Sequence, residues 1–406
     1  MMSSSNFPPQ EKFRWGMLLS DTRYRGTSLQ VITFIIFVAV FFWLVDNTLK
    51  NLALMGKDVS FNFLGMRAGY DINQRLISYT NDSTHARAAL VGILNTLLVA
   101  FFGCVIATIV GVLAGILRLS KNWIVARLMS IYIEGFRNIP VLLWIVMIFA
   151  LFTEFTPAPK AFKGADPQAS MLLFDSVAIT NRGTYLPIPV MGTGSYWLLI
   201  CLSFSIVVTF YFIKYSRKIK KDTGKGMPTF WISIGIIIIP CIIAFFVLGK
   251  PITFEYPYLK GFNFKDGLHL RNSLLALTLA LAFYTSAFIA EIVRSGILAI
   301  SKGQTEAASA LGLRPNTIMN LIVLPQALRV IVPPMISQFL NLTKNSSLAI
   351  AVGYMDVRGT LGGITLNQTG RELESMLLLM GFYLSVSLLI SSVINYFNRS
   401  FQIVGR

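Results

Sequence analysis

Long apolar runs broken by polar stretches organise this chain. Runs of about 17 to 22 apolar residues recur, long enough for a helix to cross ~30 Å of hydrocarbon. They fall at roughly 29–45, 88–117, 138–152, 196–213, 230–248 and 274–290, then somewhere within 318–342, and finally at 376–396. The pattern predicts an all-α, polytopic transmembrane helical bundle of about 8 spans. The second run holds Gly92, Gly103, Ala107, Gly111, Ala114 and Gly115, small residues that let helices pack closely in lipid. Pro333 and Pro334 lie inside the seventh and predict a kink or break there. Polar stretches at 46–87 and 155–194 read as long loops, and 118–137 and 214–225 as basic ones.

Composition agrees with a membrane protein. The chain is 54% hydrophobic and 13% charged, with a mean hydropathy of +0.65. Its net charge of +17 is scattered between apolar runs, so it argues for a positive-inside bias and against nucleic acid as a partner. Lys and Arg are denser on the side that holds both termini and the loop around 301–325. That side is expected to be cytoplasmic. Cys104, Cys201 and Cys241 fall inside apolar runs, which offers no disulfide framework among loops. His85 and His269 sit in separate loops without a cluster at metal-ligand spacing, so no metal or catalytic site is expected. Mostly polar residues precede the first run, and no small-residue cleavage site follows it. The first run is therefore expected to stay as an anchor.

The stretch 304–315 is a polar interlude between two spans. Thr305 or Gln304 is suited to open a helix, with Glu306 in its first turn at the positive end of the dipole. Gly312 is placed to end it in a left-handed cap, and Pro315 bars continuation. About two turns remain, too few to hold their shape alone in water. Ala307, Ala308 and Ala310 let another surface approach the backbone, so the helix reads as a plug for a partner's socket.

Glu306-Ala307-Ala308, Gly312, Ile322 and Leu324-Pro325 together match EAA-x3-G-x9-I-x-LP. The chain thereby resembles the permease subunits of bacterial ABC importers. The resemblance implies that this loop is a coupling helix seated in a cleft of a cytoplasmic ATPase subunit. Two further segments resemble the polar amino-acid branch of that family. One runs from Tyr132 and Glu134 through Arg137 to Pro140, and the other is Ala290-Glu291-Ile292-Val293-Arg294 with Lys302-Gly303-Gln304. Asn345-Ser346 and Asn138-Ile139 depart from that branch, which commonly has Asp-Thr and Gly-Thr there. Glu134/Arg137 and Glu291/Arg294 are i,i+3 pairs near span ends, expected to stabilise those ends locally or to brace the coupling loop by pairing across helices. Lys344 lies where a lysine would snorkel to the outer boundary.

The resemblance covers 88–154 and 273–396 as the two parts of a permease core. Outside it lie a cytoplasmic segment 1–28, an extra first span and loop 29–87, a two-span insert 155–272 and a cytoplasmic tail 397–406. Such elongation resembles a permease chain of general L-amino acid transporters. It implies a distinct partner permease, an ABC ATPase dimer carrying ATP and Mg, and a periplasmic amino-acid-binding protein. The location implied is the bacterial inner membrane, with both termini cytoplasmic. The chain has no G-x-x-x-x-G-K-[ST] of its own, so hydrolysis is expected on another subunit and this chain is expected to be no enzyme. An ion-gradient secondary transporter is the alternative. It would place carboxylates or histidines at mid-membrane, where these spans are nearly free of ionisable groups. The substrate-binding residues are not legible.

Overall fold

The computed structural model describes residues 16, 19, 21–164, 167–223, 226 and 228–401. The expected segment 1–28 lies mostly outside them, and the expected tail 397–406 partly so. The apolar runs form the helices α1 (Thr22–Leu54), α2 (His85–Arg118), α3 (Trp123–Asn138), α4 (Val141–Glu154), α5 (Ser195–Thr223), α6 (Thr229–Val247) and α7 (Asn272–Leu298). After these come α8 (Lys302–Ala310), α9 (Leu324–Asn345) and α10 (Glu372–Phe401). Among the described residues, 7 helices are long and apolar enough to cross a membrane, or 8 if the bent pair α3–α4 counts as one span.

That bent pair corrects the expected basic loop at 118–137. The Asn122 side chain accepts the backbone N–H groups of Ile124 at 3.0 Å and Val125 at 3.3 Å, which starts α3. Pro140 then forces Ile139 into an extended conformation, and α4 leaves at 108°. At 14 residues, α4 is only ~21 Å long. It is too short to cross ~30 Å of hydrocarbon without the helix that feeds it.

A second correction concerns the prolines of the seventh run. Helix α9 continues through Pro333 and Pro334. The irregular turn lies earlier, as a π segment over Met319–Val323 that runs into α9 just ahead of Pro325. Proline cannot donate to the preceding turn, and the wider winding accommodates the missing bond.

Helices α2 and α7 form the centre. At Gly115 an added Cβ would stand 2.6 Å from the Ala290 carbonyl oxygen, so the backbones touch where only hydrogen fits. Gly111 meets Ile289 in the same way one turn earlier. Val99 and Ala107 from α2 join Leu277, Leu281 and Ile289 from α7, all fully buried. Lipid tails are as apolar as these side chains, so the packing is held by dispersion and close fit rather than by escape from water.

Between α9 and α10 the chain folds back onto the first turns of α2. Asn95 donates from Nδ2 to the carbonyls of Gln74 and Met355, both at 2.8 Å, and the Val357 N–H donates to Thr96 Oγ1 at 3.1 Å. The window of α1 that would cross the membrane buries none of its residues, yet the segment after it is pinned. Lys57 donates to the Gly370 carbonyl at 3.1 Å, and Arg371 pairs with Asp58 at 3.1 Å.

The insert's polar stretches carry short strands where loops were expected. They are β1 (Ala178–Thr180), β2 (Gly183–Leu186), β3 (Ile188–Met191), β4 (Ile252–Glu255), β5 (Tyr258–Lys260), β6 (Asn263–Lys265) and β7 (Leu268–Leu270). The order β1-β2-β7 makes one antiparallel sheet, with Tyr185 opposite His269. Pairing of β3 with β4 closes the base of the α5–α6 hairpin. The sheet therefore stands at the end of the bundle opposite α8, joined directly to the start of α7 through Leu270–Arg271–Asn272.

Candidate functional site

Helix α8 begins earlier than its sequence suggests. Ser301 precedes it, so Glu306 is the fifth helical residue and not part of the first turn. The alanines and the side chains of Thr305 and Ser309 sustain it. Those hydroxyls donate back to the Lys302 carbonyl at 2.7 Å and the Thr305 carbonyl at 2.8 Å. Gly312, at φ +77°, ends the helix in the left-handed region. The Leu313 N–H reaches the Ala308 carbonyl at 3.3 Å and the Gly312 N–H reaches the Ser309 carbonyl at 2.9 Å. This is the capping geometry expected of glycine there.

One face of α8 is seated on its own chain. Ala308 is buried against Ile318 and Val323, with Ile322 packed beside them. Gln326 donates to Gln304, tying α8 to the first turn of α9. The other face is open: Glu306, Ala307 and Ala310 are exposed, as is Gly312 beyond them. Leu311 is 81% exposed at the tip. Of the motif residues, then, Glu306, Ala307 and Gly312 lie on the open surface, while Ala308 and Ile322 hold the helix down. Leu324 and Pro325 are exposed at the start of α9. Leu311 belongs to the open face and was not singled out by the motif, although a leucine just before a capping glycine is the signal that would have found it.

Eight to eleven residues before α8, the chain passes through a knot of charge. Glu291 in α7 accepts from Arg294 at 2.6 Å and from Arg118 at 2.5 Å, and Arg137 stands at 4.0 Å. Of the two pairs expected from spacing, Glu291/Arg294 forms. Glu134 and Arg137 do not pair with each other among the described residues. Glu134 instead faces Arg118 at 3.6 Å, and Arg137 turns toward Glu291 and lies over the Phe288 ring at 5.4 Å. Arg118, from the last turn of α2, links both carboxylates. One half-buried carboxylate thus collects guanidinium groups from the ends of α2, α3 and α7. Such a knot fixes the relative position of three helix ends and costs little, because each charge has a partner. Tyr132 adds a hydrogen bond to Ser286 at 2.5 Å across α3 and α7.

Comparison with known proteins identifies the family. The family model described as "Binding-protein-dependent transport system inner membrane component" matches residues 222–403. The glutamate/glutamine/aspartate/asparagine transport system permease protein BztB of Rhodobacter capsulatus is 50% identical, over 100% of both chains. The general L-amino acid transport system permease protein AapQ of Rhizobium johnstonii is 44% identical over 95% of this chain and 94% of that one. The putative amino-acid ABC transporter permease protein YhdX of Escherichia coli is 40% identical over 94% and 95%. These alignments run through the first span and the insert, so both belong to a layout shared with full-length relatives. They leave the ion-gradient alternative without support.

Proposed function

The chain belongs to the amino-acid ABC importer permeases, and we propose that α8 is the element through which a separate ATPase subunit drives its spans. The observation that carries this is the two-sided build of α8. Ala308, Ile322 and the Gln304–Gln326 bond fix it to the bundle, while Glu306, Ala307 and Leu311 stand open. A helix of 9 residues held this way moves as a rigid unit. When the ATPase pair closes on ATP, a push on the open face reaches α9 through Gln326. It reaches α7 through the short link 299–301, and the Glu291 knot spreads it to the ends of α2 and α3. Glu134, Arg137, Glu291 and Arg294 thus support coupling, with Arg118 at their junction.

The transported molecules in this reading are acidic amino acids and their amides, as the name of the half-identical relative specifies for that protein. A periplasmic binding protein delivers them. The second half of the pathway comes from a distinct partner permease, since the elongated form has the first span and the insert on one chain. The α8 end faces the cytoplasm, and both termini with it. The window of α1 buries none of its residues, which supports its lying against lipid or the partner.

The test is a gentle-detergent purification of the tagged chain, with identification of what comes along. A P-loop ATPase should co-purify with the natural chain and be lost with Glu306→Arg. A chain that purifies alone and transports in liposomes without ATP would overturn the proposal.

A further inference from the structure

At the end of the bundle opposite α8, a cavity of ~390 Å³ opens where the insert's sheet meets the permease core. That is within the size range of small-molecule sites. Its wall combines Asn181, Arg182 and His269 from the sheet with Arg271 and Asn272 at the start of α7, and Asn73 from the first long loop. Among the described residues, its lining contains two arginines and no carboxylate.

Three buried polar atoms on this wall lack a hydrogen-bond partner among the described residues: Arg271 Nε, Asn181 Oδ1 and Asn272 Oδ1. Asn272 is 4% exposed. Its Nδ2 donates to the Phe152 carbonyl at 3.2 Å and the Thr180 carbonyl at 3.3 Å. Its oxygen is thereby the group left over for the cavity. Buried polar groups are rarely left unpaired, and a cluster of them on one wall marks a place built for a ligand. The set has a definite chemistry. One unused guanidinium N–H and a second arginine without a carboxylate partner suit carboxylates, and two unused amide oxygens suit an ammonium group. Helix α7 opens at the same place, and its N-terminus adds positive partial charge.

Other contacts hold the wall in place. His269 stacks on Tyr185 with ring centroids 4.3 Å apart and donates from Nε2 to the Arg182 carbonyl at 3.1 Å. Burial, mainly, keeps its imidazole below the ordinary histidine range, so it stays neutral and does not compete for an anion. Arg182 Nη1 is held by the Phe262 carbonyl at 3.2 Å.

We propose that this cavity is an entry subsite for acidic amino acids, in which Arg271 and Arg182 bind carboxylates while Asn181 and Asn272 accept the ammonium group. The inference rests on the importer reading above and adds to it a place and a charge preference. It assigns the insert a role: the sheet supplies Asn181, Arg182 and His269 to the wall and reads the substrate as it leaves the binding protein. Dibasic amino acids are rejected, because nothing on the wall pairs with a second positive charge.

The experiment is a protection assay on the full transporter in liposomes. Cys104, Cys201 and Cys241 are replaced by serine, and Asn73→Cys serves as the reporter for a membrane-impermeant maleimide. Millimolar glutamate or aspartate should slow labelling about tenfold, and lysine should not. Arg271→Gln should abolish protection, a loss of about tenfold or more in affinity for one charge-assisted bond. Arg182→Gln should weaken it; that residue is exposed on the β1–β2 turn, so it keeps the test decisive if Arg271→Gln does not assemble. No protection in a preparation that still imports glutamate with ATP would overturn the inference and leave the importer reading standing. Protection that needs the binding protein and ignores the amino acid would also overturn it, since the cavity would then hold a carboxylate of the docked partner. Absence of ATP-dependent uptake by the unmutated assembly would remove the importer reading and this inference together.

Discussion

Arg118 Nη1 donates to Glu291 Oε2 at 2.5 Å, across a sequence separation of 173 residues. Both side chains are about one-fifth exposed, 19% and 24%, so water screens the pair only partly. The contact joins the last turn of α2 to the last turns of α7, just before the chain leaves for α8. It turns three separate helix ends into one block.

Removing the carboxylate from that block should cost more than removing one of its arginines. Glu291→Gln leaves Arg137 and Arg294 without their carboxylate and Arg118 with only Glu134, and we expect a loss of about 2 kcal/mol, below the ~3–5 of a fully buried pair. Arg118→Ala should cost less, because Arg294 remains on Glu291. Thermal unfolding of the purified singles and the double variant gives the coupling directly. Strictly additive losses would show that the contact is not the link described.

On the open face of α8, Leu311→Asp should leave insertion and stability unchanged, since the residue is 81% exposed and outside any span. Capture of the ATPase and uptake should both fall at least tenfold. Gly312→Trp should act differently. Its φ of +77° is strained for any side chain, so the cap should fray and the whole helix should lose its pose. Uptake measured beside membrane content separates the two, and a Leu311→Asp transporter of normal activity would exclude the face from docking.

Close packing of α2 on α7 predicts a contrast between two glycines. Gly115→Ala drives a Cβ to 2.6 Å from the Ala290 carbonyl oxygen and should destabilise by about 1–3 kcal/mol. Gly135→Ala meets nothing within 4 Å and lies inside α3, so it should be neutral or stabilise by up to ~1 kcal/mol. Unfolding temperatures of the two variants decide it, and equal shifts would contradict the proposed backbone contact.

The clamp between the end of α1 and the start of α10 should depend on pH. Arg371 bonds to Asp58 and holds its carboxyl below the ordinary carboxylate range. A depressed carboxylate pKa contributes stability above the unfolded value, and that contribution is lost as pH falls through the folded value. The clamp should thus be intact at neutral pH and weaken only below about pH 4. Asp58→Asn should unfold with a flatter dependence below about pH 4 than the natural chain. Identical profiles would mean that the pair carries no such linkage.

Much of this protein was legible from local pattern. The apolar runs located 7 helices long enough to cross and part of the bent α3–α4 pair, because the thickness of hydrocarbon sets a length that a run either meets or does not. Gly312 announced its left-handed cap, since only local sterics decide that conformation. The spacing from Glu306 to Pro325 located α8 within a few residues. The helix starts earlier than Thr305 or Gln304 because Ser301 caps it, without a side-chain hydrogen bond, and Lys302-Gly303 joins its first turn. The corner at Pro140 was also written in the sequence, but the basic residues around it read as loop until Asn122 was seen to start a helix.

What the sequence left open depended on groups brought together from far apart. Spacing predicted Glu134 with Arg137. Instead, packing of α2, α3 and α7 presented Arg118 to both carboxylates, and the nearer, better shielded partner prevailed. The cavity between Arg182 and Arg271 lies beyond the reach of pattern altogether. Its residues come from the first loop, the insert's sheet and the start of α7. The feature that marks it, buried polar atoms without partners, exists only once every other hydrogen bond in the fold has been made. Helix length, caps and span count are short-range properties of the chain, whereas ion pairs and cavities are decided by which surfaces the folded bundle brings into contact.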